Sequence, residues 1–161
     1  MKNDDILKGK KVLVVDDEPD VLESLMEILN QCALDTAPDF ETATGLLEKQ
    51  SYDLAILDIM GVNGYDLLTL TTEKGIPTLM LTAHALSPDN LVTSLKKGAS
   101  AYVPKDSISD IQIFLEDILE DQGAGLKSLG RWFSRLEPFF EKKFGKYWKE
   151  KSDPEFWKKY Y

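Results

Sequence analysis

Three carboxylates, one hydroxyl and one ammonium group follow short apolar segments at four places in this chain: Asp16, Asp17, Asp58, Thr82 and Lys105. Each is a weak signal alone, because an aspartate after a strand is usually a turn or cap residue. As a set they suit a cation-binding site, because clustered carboxylates repel one another unless a lysine and a divalent cation neutralise their charge. Mg²⁺ fits such a set, since it binds one or two carboxylates together with water and phosphate oxygens.

Five short apolar segments provide the framework for these groups, and they have the length and composition of strands buried on both faces. They are Lys11–Asp16, Ala33–Ala37, Asp53–Asp58, Ile76–Thr82 and Ser100–Val103. Between them, apolar residues recur at helical spacing, and helix starts are indicated at Asp39, Ser87 and Ser107. This fivefold βα alternation predicts a parallel sheet with right-handed crossovers, in which ligands bind beyond the carboxyl ends of the strands.

Four stretches, VLVVDDEPDV, LAILDIM, MLTAHA and KKGASAYVPK, occur in this order with one per βα unit. They resemble the signature segments of response-regulator receiver domains, and the resemblance covers about residues 10–122. It implies an α/β fold of the flavodoxin-like type, a doubly wound five-stranded parallel sheet in the order 2-1-3-4-5 with five helices. We therefore expect a receiver domain over residues 1–122 and a helical extension over residues 123–161.

The resemblance assigns roles around a metal ion. It implies that Asp58 is the nucleophile that becomes an acyl phosphate, and that Asp16 and Asp17 hold Mg²⁺ directly or through water. The backbone carbonyl of Met60 would complete the protein ligands. The family commonly has proline where this chain has Gly61. Because glycine loosens a loop, we hypothesise weaker or more plastic metal binding than is usual in the family.

The resemblance also implies how the phosphoryl group is held and read. Lys105 pairs with the phosphoryl oxygens, Thr82 donates its hydroxyl to them, and Tyr102 matches an aromatic switch position. Movement of Thr82 would vacate space into which Tyr102 turns, with a readout on the fourth helix, the fifth strand and the fifth helix. The implied phosphoryl donor is a histidine kinase or a phosphotransfer protein of a two-component phosphorelay.

The resulting prediction is a phosphoprotein that signals through protein–protein contacts and is no enzyme beyond its own phosphorylation and dephosphorylation. Two other classes compete with it, an unphosphorylated pseudo-receiver and a phosphohydrolase of small substrates. The intact acidic, hydroxyl and lysine positions argue against the first class, and the missing substrate-enclosing insert argues against the second. The N-terminal segment MKNDDILKGKK lacks the apolar run of a signal peptide, and we expect a cytoplasmic protein.

The composition changes sharply near residue 125. Residues 1–125 contain 9 basic and 23 acidic residues, a net charge of −14, whereas residues 126–161 contain 10 and 5, a net charge of +5. Eleven of the 16 aromatic residues also lie in residues 126–161. This asymmetry indicates two structural units, of which the acidic one should repel nucleic acid. We expect no nucleic-acid partner, since the extension shows no helix-turn-helix pattern.

The extension has aromatic and leucine residues at spacings of three and four, with basic residues between them, which predicts amphipathic helices. Gly123-Ala124-Gly125 should end the fifth helix, and Pro138 should kink the next helix or start a new one. Asp153-Pro154-Glu155 should open a last helix that runs through Trp157 and Tyr160. Three interpretations remain open for residues 126–161. The aromatic stripe packs on the receiver or on a second copy of the chain, docks on a kinase or effector protein, or lies on an anionic membrane surface.

Overall fold

The structure, a computed structural model, describes residues 6–121 and 129–159. The first range contains the strands β1 (Lys11–Val15), β2 (Ala33–Ala37), β3 (Leu54–Asp58), β4 (Thr78–Thr82) and β5 (Ala101–Pro104). They alternate with the helices α1 (Pro19–Ile28), α2 (Phe40–Lys49), α3 (Gly64–Glu73), α4 (Pro88–Lys96) and α5 (Ile111–Asp121), the last preceded by a 3₁₀ helix (Lys105–Asp110). The second range forms α6 (Arg131–Phe144), α7 (Trp148–Ser152) and α8 (Pro154–Trp157).

The five strands are parallel and lie in the order β2-β1-β3-β4-β5, which confirms the predicted doubly wound fold. The central strands β3 and β4 are buried along their whole length, as expected where helices cover both faces of a sheet. The register places Asp58 beside Leu81 and Thr82 beside Pro104. The carboxyl ends of these strands therefore meet at one edge of the sheet.

Two of the three predicted helix starts are confirmed. Asp39 and Ser87 cap α2 and α4, because each side chain accepts the backbone N–H of the residue three positions later. The prediction at Ser107 is wrong, since its backbone (φ −104°, ψ 19°) departs from helical geometry and α5 begins at Ile111. The chain leaving β5 first forms a short 3₁₀ segment, after which the fully buried Ile111 enters the core.

The extension forms helices, as its spacing predicts, but no new helix starts at Pro138. Helix α6 runs through this residue and ends before Gly145, whose φ of 98° no helix accommodates. A proline inside a helix lacks the N–H that would bond to the carbonyl four residues earlier. Both Pro138 and Ser134, the residue with that carbonyl, are exposed, so water can hydrate the freed oxygen.

The last predicted helix start is confirmed. Asp153 caps α8 by accepting the N–H of Phe156, and Pro154 occupies its first turn. The helix ends at Trp157, earlier than the prediction placed it. Tyr160 and the predicted glycine break at residues 123–125 lie outside the described residues.

Helices α6 and α7 pack on the side of the receiver that α4, β5 and α5 form, and α8 packs on α7. The ring of Phe140 lies 6.1 Å from that of Tyr102 on β5. Arg135 is bonded to Asp117 of α5. The aromatic residues that become buried in this extension are Trp132, Phe133, Phe140, Trp148, Phe156 and Trp157. Of the three interpretations of the aromatic stripe, the structure thus has it packed on the receiver.

In the ranges 6–121 and 129–159, no helix combines the length and the apolar character that crossing a bilayer requires.

Candidate functional site

The carboxyl edge of the sheet holds four of the predicted site residues on four neighbouring strands. Asp16 follows β1, Asp58 ends β3, Thr82 ends β4, and Lys105 follows β5. Asp16, Asp58 and Thr82 are only 1%, 5% and 0% exposed. Polar side chains so deeply buried at one edge of a sheet cost free energy unless they have partners there.

Lys105 is the cation that connects these carboxylates. Its Nζ lies 3.0 Å from Asp16 Oδ2 and 3.5 Å from Asp58 Oδ1. It also donates a 2.8 Å hydrogen bond to Glu18 Oε1. One ammonium group therefore serves three carboxylates, and its contact with Asp58 is the longest of the three.

The pKa values of these groups reflect the shortage of positive charge. Burial, followed by the charge of Asp16, raises the pKa of Asp58 to about 6, although Lys105 acts in the opposite direction. Burial also raises the pKa of Asp16, against the N–H of Glu18 and the ammonium of Lys105. For Lys105 itself, burial disfavours the charged form, but the contacts with Glu18 and Asp16 outweigh it and raise the pKa. The site therefore carries an excess of negative charge that an added cation would reduce.

A divalent cation fits the donor atoms at this edge. The buried Asp16 Oδ2 has no hydrogen-bond partner of good geometry among residues 6–121 and 129–159, and Lys105 Nζ is only its ion-pair neighbour. Carboxylate oxygens of Asp16, Asp17 and Glu18 lie within 4.8 Å of one another. An all-oxygen set of this kind is what Mg²⁺ prefers in proteins.

The loop after β3 depends on two glycines. Gly61 has a φ of +85°, and a Cβ there would lie 2.4 Å from Asp17 Oδ2. Proline, which the family commonly has at this position, cannot adopt this φ. A Cβ on Gly64 would lie 2.1 Å from the backbone oxygen of Asp58. The loop that carries Met60 can therefore lie against the acidic residues only because both positions lack a side chain.

The two predicted switch residues are joined by the loop between β4 and α4. Thr82 Oγ accepts the N–H of Ala85 at 3.0 Å. The fully buried Tyr102 donates its hydroxyl to the carbonyl of Ala85 at 2.8 Å and accepts the N–H of Ser87 at 3.1 Å. The ring of Phe140 packs against that of Tyr102, which is therefore buried in this structure. Any switching movement of Tyr102 has to start from this buried position.

Sequence reasoning missed Glu18 and Gly64. Glu18 directly follows the acidic pair in the stretch VLVVDDEPDV, so its position was the available signal for a role at Lys105. Gly64 gave no such signal, because close approach of backbone to backbone appears only in three dimensions. The side chain of Met60 is exposed and points to no role of its own, which leaves its backbone carbonyl as the predicted ligand.

Curated proteins similar to this chain are response regulators. The DNA-binding response regulator MtrA from Mycolicibacterium smegmatis is 34% identical over 131 residues, which cover 75% of this chain and 57% of MtrA. The heme response regulator HssR from Staphylococcus aureus is 40% identical over 98 residues, which cover 58% of this chain and 43% of HssR. The chain thus spans about half the length of the curated relatives it matches.

Solved structures of receiver domains superpose on the same region. The response regulator TrrA from Thermotoga maritima, in complex with Mg²⁺ and BeF, is 31% identical with a TM-score of 0.58, over 68% of this chain and 98% of that one. A receiver domain protein from Clostridium thermocellum has a TM-score of 0.63 over 73% of this chain and 99% of that one. Its identity is 23%, so this likeness shows the fold alone.

The family model of the response regulator receiver domain matches residues 12–116. This range contains the whole sheet edge from Asp16 to Lys105 and most of α5, and it ends before the extension. The chain belongs to the response regulator receiver domain family of two-component signalling.

Proposed function

We propose that this chain is a phosphorylation-dependent signalling switch in which Asp58 accepts the phosphoryl group. The observation that carries the proposal is the position of Lys105, whose ammonium lies between Asp16 and Asp58 at the buried edge of the sheet. The excess of acid and the raised pKa of Asp58, about 6, leave a site short of positive charge, which an added cation would supply. Such a cation and Lys105 would together offset the negative charge of a phosphoryl group.

The proposed donor is the phosphohistidine of a histidine kinase or of a phosphotransfer protein. A carboxylate oxygen of Asp58 bonds to phosphorus while the phosphorus–nitrogen bond of the donor breaks, and the imidazole leaves and takes a proton from water. At pH 7 most Asp58 carboxyls are ionised, because their pKa lies near 6. The nucleophile is therefore available without a separate general base.

The chain's own side chains hold the transferred group. Lys105 pairs with the phosphoryl oxygens, and Thr82 donates its hydroxyl to them. Mg²⁺, held by Asp16, Asp17, Asp58 and the carbonyl of Met60, supplies charge neutralisation when bound. The protein is thereby a substrate of phosphotransfer with its own dephosphorylation, and we propose no other enzymatic activity.

The proposed output is protein–protein contact. The name of MtrA describes a DNA-binding protein, but this chain spans only part of MtrA, and residues 1–125 have a net charge of −14, which opposes binding to a polyanion. Six aromatic side chains of the stripe are buried on the receiver, so among residues 6–121 and 129–159 the stripe offers no broad apolar face to a membrane surface in this conformation. A second copy of the chain or an effector protein remains the proposed partner.

Intact mass spectrometry tests the proposal. Incubation with Mg²⁺ and acetyl phosphate should increase the mass by one phosphoryl group, and EDTA should prevent the increase. Asp58→Asn should remain unmodified, whereas Asp53→Asn, which changes an exposed aspartate before β3, should be modified like the wild type. Modification of Asp58→Asn, or no modification of the wild type, would refute Asp58 as the acceptor.

A further inference from the structure

Three aromatic rings of the extension surround one ammonium group. The ring centroids of Phe133 on α6, Trp148 on α7 and Trp157 on α8 lie 5.2, 5.8 and 5.4 Å from Lys149 Nζ. The planes of Trp148 and Trp157 meet at 80°, and those of Phe133 and Trp157 meet at 34°. The three rings therefore enclose the ammonium group from different directions, and we call them the aromatic cage.

A carboxylate completes the surroundings of this ammonium group. Glu137, one helical turn after Phe133 on α6, accepts a hydrogen bond from Lys149 Nζ. Each ring of the cage is at most 4% exposed, whereas the side chain of Lys149 is 23% exposed. Lys149 thus lies at the surface of the cage. Several aromatic faces around one cation are the arrangement with which proteins recognise quaternary ammonium groups.

An open cavity adjoins the cage. Its volume is about 350 Å³, and it is lined by Lys149, Glu150, Pro154, Trp157 and Lys158. Lys149 and Trp157 belong to both the cage and the cavity. Because a lysine side chain is flexible, rotation of Lys149 would join the two into one space. The cavity alone has the size of a small-molecule site.

We propose that the aromatic cage binds a small molecule that carries a trimethylammonium group, and that this ligand displaces Lys149. The trimethylammonium group takes the position of Lys149 Nζ, against the three rings and beside the carboxylate of Glu137. The rest of the molecule lies in the adjoining cavity. The site shares no residue with the sheet edge around Asp58, so this inference does not rest on the phosphoacceptor function.

Hydration determines which cations can displace Lys149. A primary ammonium group is compact and strongly hydrated, and a second one would only exchange the contacts of Lys149 for equal ones. A trimethylammonium group spreads its charge over three methyl groups, so it loses less hydration and makes more van der Waals contacts with the rings. The displaced ammonium of Lys149 regains its water. The exchange therefore favours a methylated cation.

The tryptophans themselves report binding. Choline is added to the full chain, and the indole N–H signals are followed by NMR. The signals of Trp148 and Trp157 should shift with choline concentration. Trp132, which donates its indole N–H to the carbonyl of Leu129 and is no part of the cage, should shift least. The uncharged analogue of choline, with a tert-butyl group in place of trimethylammonium, separates attraction to the cation from simple apolar contact.

Two variants test the displacement of Lys149. Lys149→Ala removes the cation that occupies the cage, and choline should bind at least ~10-fold more tightly if Lys149 is in place in about nine of ten molecules. Lys151→Ala is the matched control, because Lys151 is an exposed lysine of the same short helix. It should bind choline like the wild type. Glu137→Gln should weaken binding, because it removes the negative charge beside the cage.

Each result decides the proposal. Shifts of both cage tryptophans with choline and not with the uncharged analogue, together with tighter binding to Lys149→Ala, would support it. Choline that leaves both signals of the wild type unchanged would overturn it, whether or not the variants fold. Equal binding of choline and its uncharged analogue would also overturn it, because the rings would then be an apolar surface without preference for a cation.

Discussion

Two buried carboxylates of this protein, Asp58 and Asp117, have opposite surroundings. Asp58 shares the single ammonium of Lys105 with two other acids, and its pKa is raised to about 6. Asp117 accepts two hydrogen bonds from Arg135 and has Arg131 nearby. The first carboxylate lacks positive charge, whereas the second is hydrogen-bonded to one arginine and has another beside it. The surroundings of Asp58 suit an added ligand, whereas those of Asp117 hold the receiver and the extension together.

The largest effect is expected at Phe140, in the aromatic centre of the contact between the receiver and the extension. Phe140→Ala should reduce the free energy of docking of the extension by about 3–5 kcal/mol, because it removes a fully buried ring. Hydrogen exchange of α6–α8, relative to that of β3 and β4, measures this loss. Phe139→Ala, which changes an adjacent and only partly buried ring, is the matched control and should have a smaller effect. Equal effects of the two variants would mean that the interface has no packed centre at Phe140.

A second prediction concerns the free-energy cost of ionising the buried carboxyl of Asp58. Because its folded pKa of about 6 lies above the unfolded value of 3.8, ionisation of Asp58 destabilises the folded protein, and this cost grows as the pH rises from 4 to 6. Asp58→Asn should therefore raise the free energy of unfolding at pH 7 without Mg²⁺ by about 1–3 kcal/mol.

Chemical denaturation at several pH values checks this prediction. The gain should shrink as the pH falls towards 4, where the wild-type carboxyl is protonated in the folded state. Asp117→Asn should behave in the opposite way at pH 7, because it weakens a satisfied ion pair. If Asp58→Asn instead lowers the free energy of unfolding at pH 7, the inference that the sheet edge lacks positive charge is wrong.

The third prediction, which has the smallest expected effect, concerns the metal site. Gly61→Ala should weaken Mg²⁺ binding about tenfold, ~1.4 kcal/mol, because the added Cβ displaces the Asp17 carboxylate. Gly75→Ala is the control, since Gly75 has a similar φ of +72° but open space around it. Calorimetric titration with Mg²⁺ measures both variants. Equal affinities would show that Asp17 does not depend on the lack of a side chain at Gly61.

The sequence predicts the residues at the sheet edge well, because the patterns that place them there span only a few neighbouring residues. Short apolar strands, the caps at Asp39 and Ser87, and the placement of Asp58 and Thr82 at strand ends all follow from patterns of a few residues. Ser107 shows the limit of such patterns, since a cap residue type there precedes a 3₁₀ segment that depends on tertiary packing. The role of Glu18 at Lys105 depends on a contact 87 residues apart along the chain.

The sequence is less informative about the extension. Its spacing predicts helices and an apolar stripe, but not the surface on which the stripe packs. That surface depends on the pairing of Asp117 with Arg135 and of Tyr102 with Phe140, and neither pair has a pattern of its own in the sequence. The charge asymmetry indicates two structural units, but it does not distinguish a contact within one chain from a contact between two.

The order of the two parts along the chain has a consequence for synthesis. The ribosome synthesises the receiver before the extension, and at about 5–20 residues per second residues 122–161 take roughly 2–8 s. Until residues 129–159 have left the ribosome, Asp117 has no arginine, and the ring of Tyr102 has no cover from Phe140. The growing chain therefore presents an acidic and aromatic surface to chaperones and to neighbouring nascent chains until its own C-terminal helices arrive to cover it.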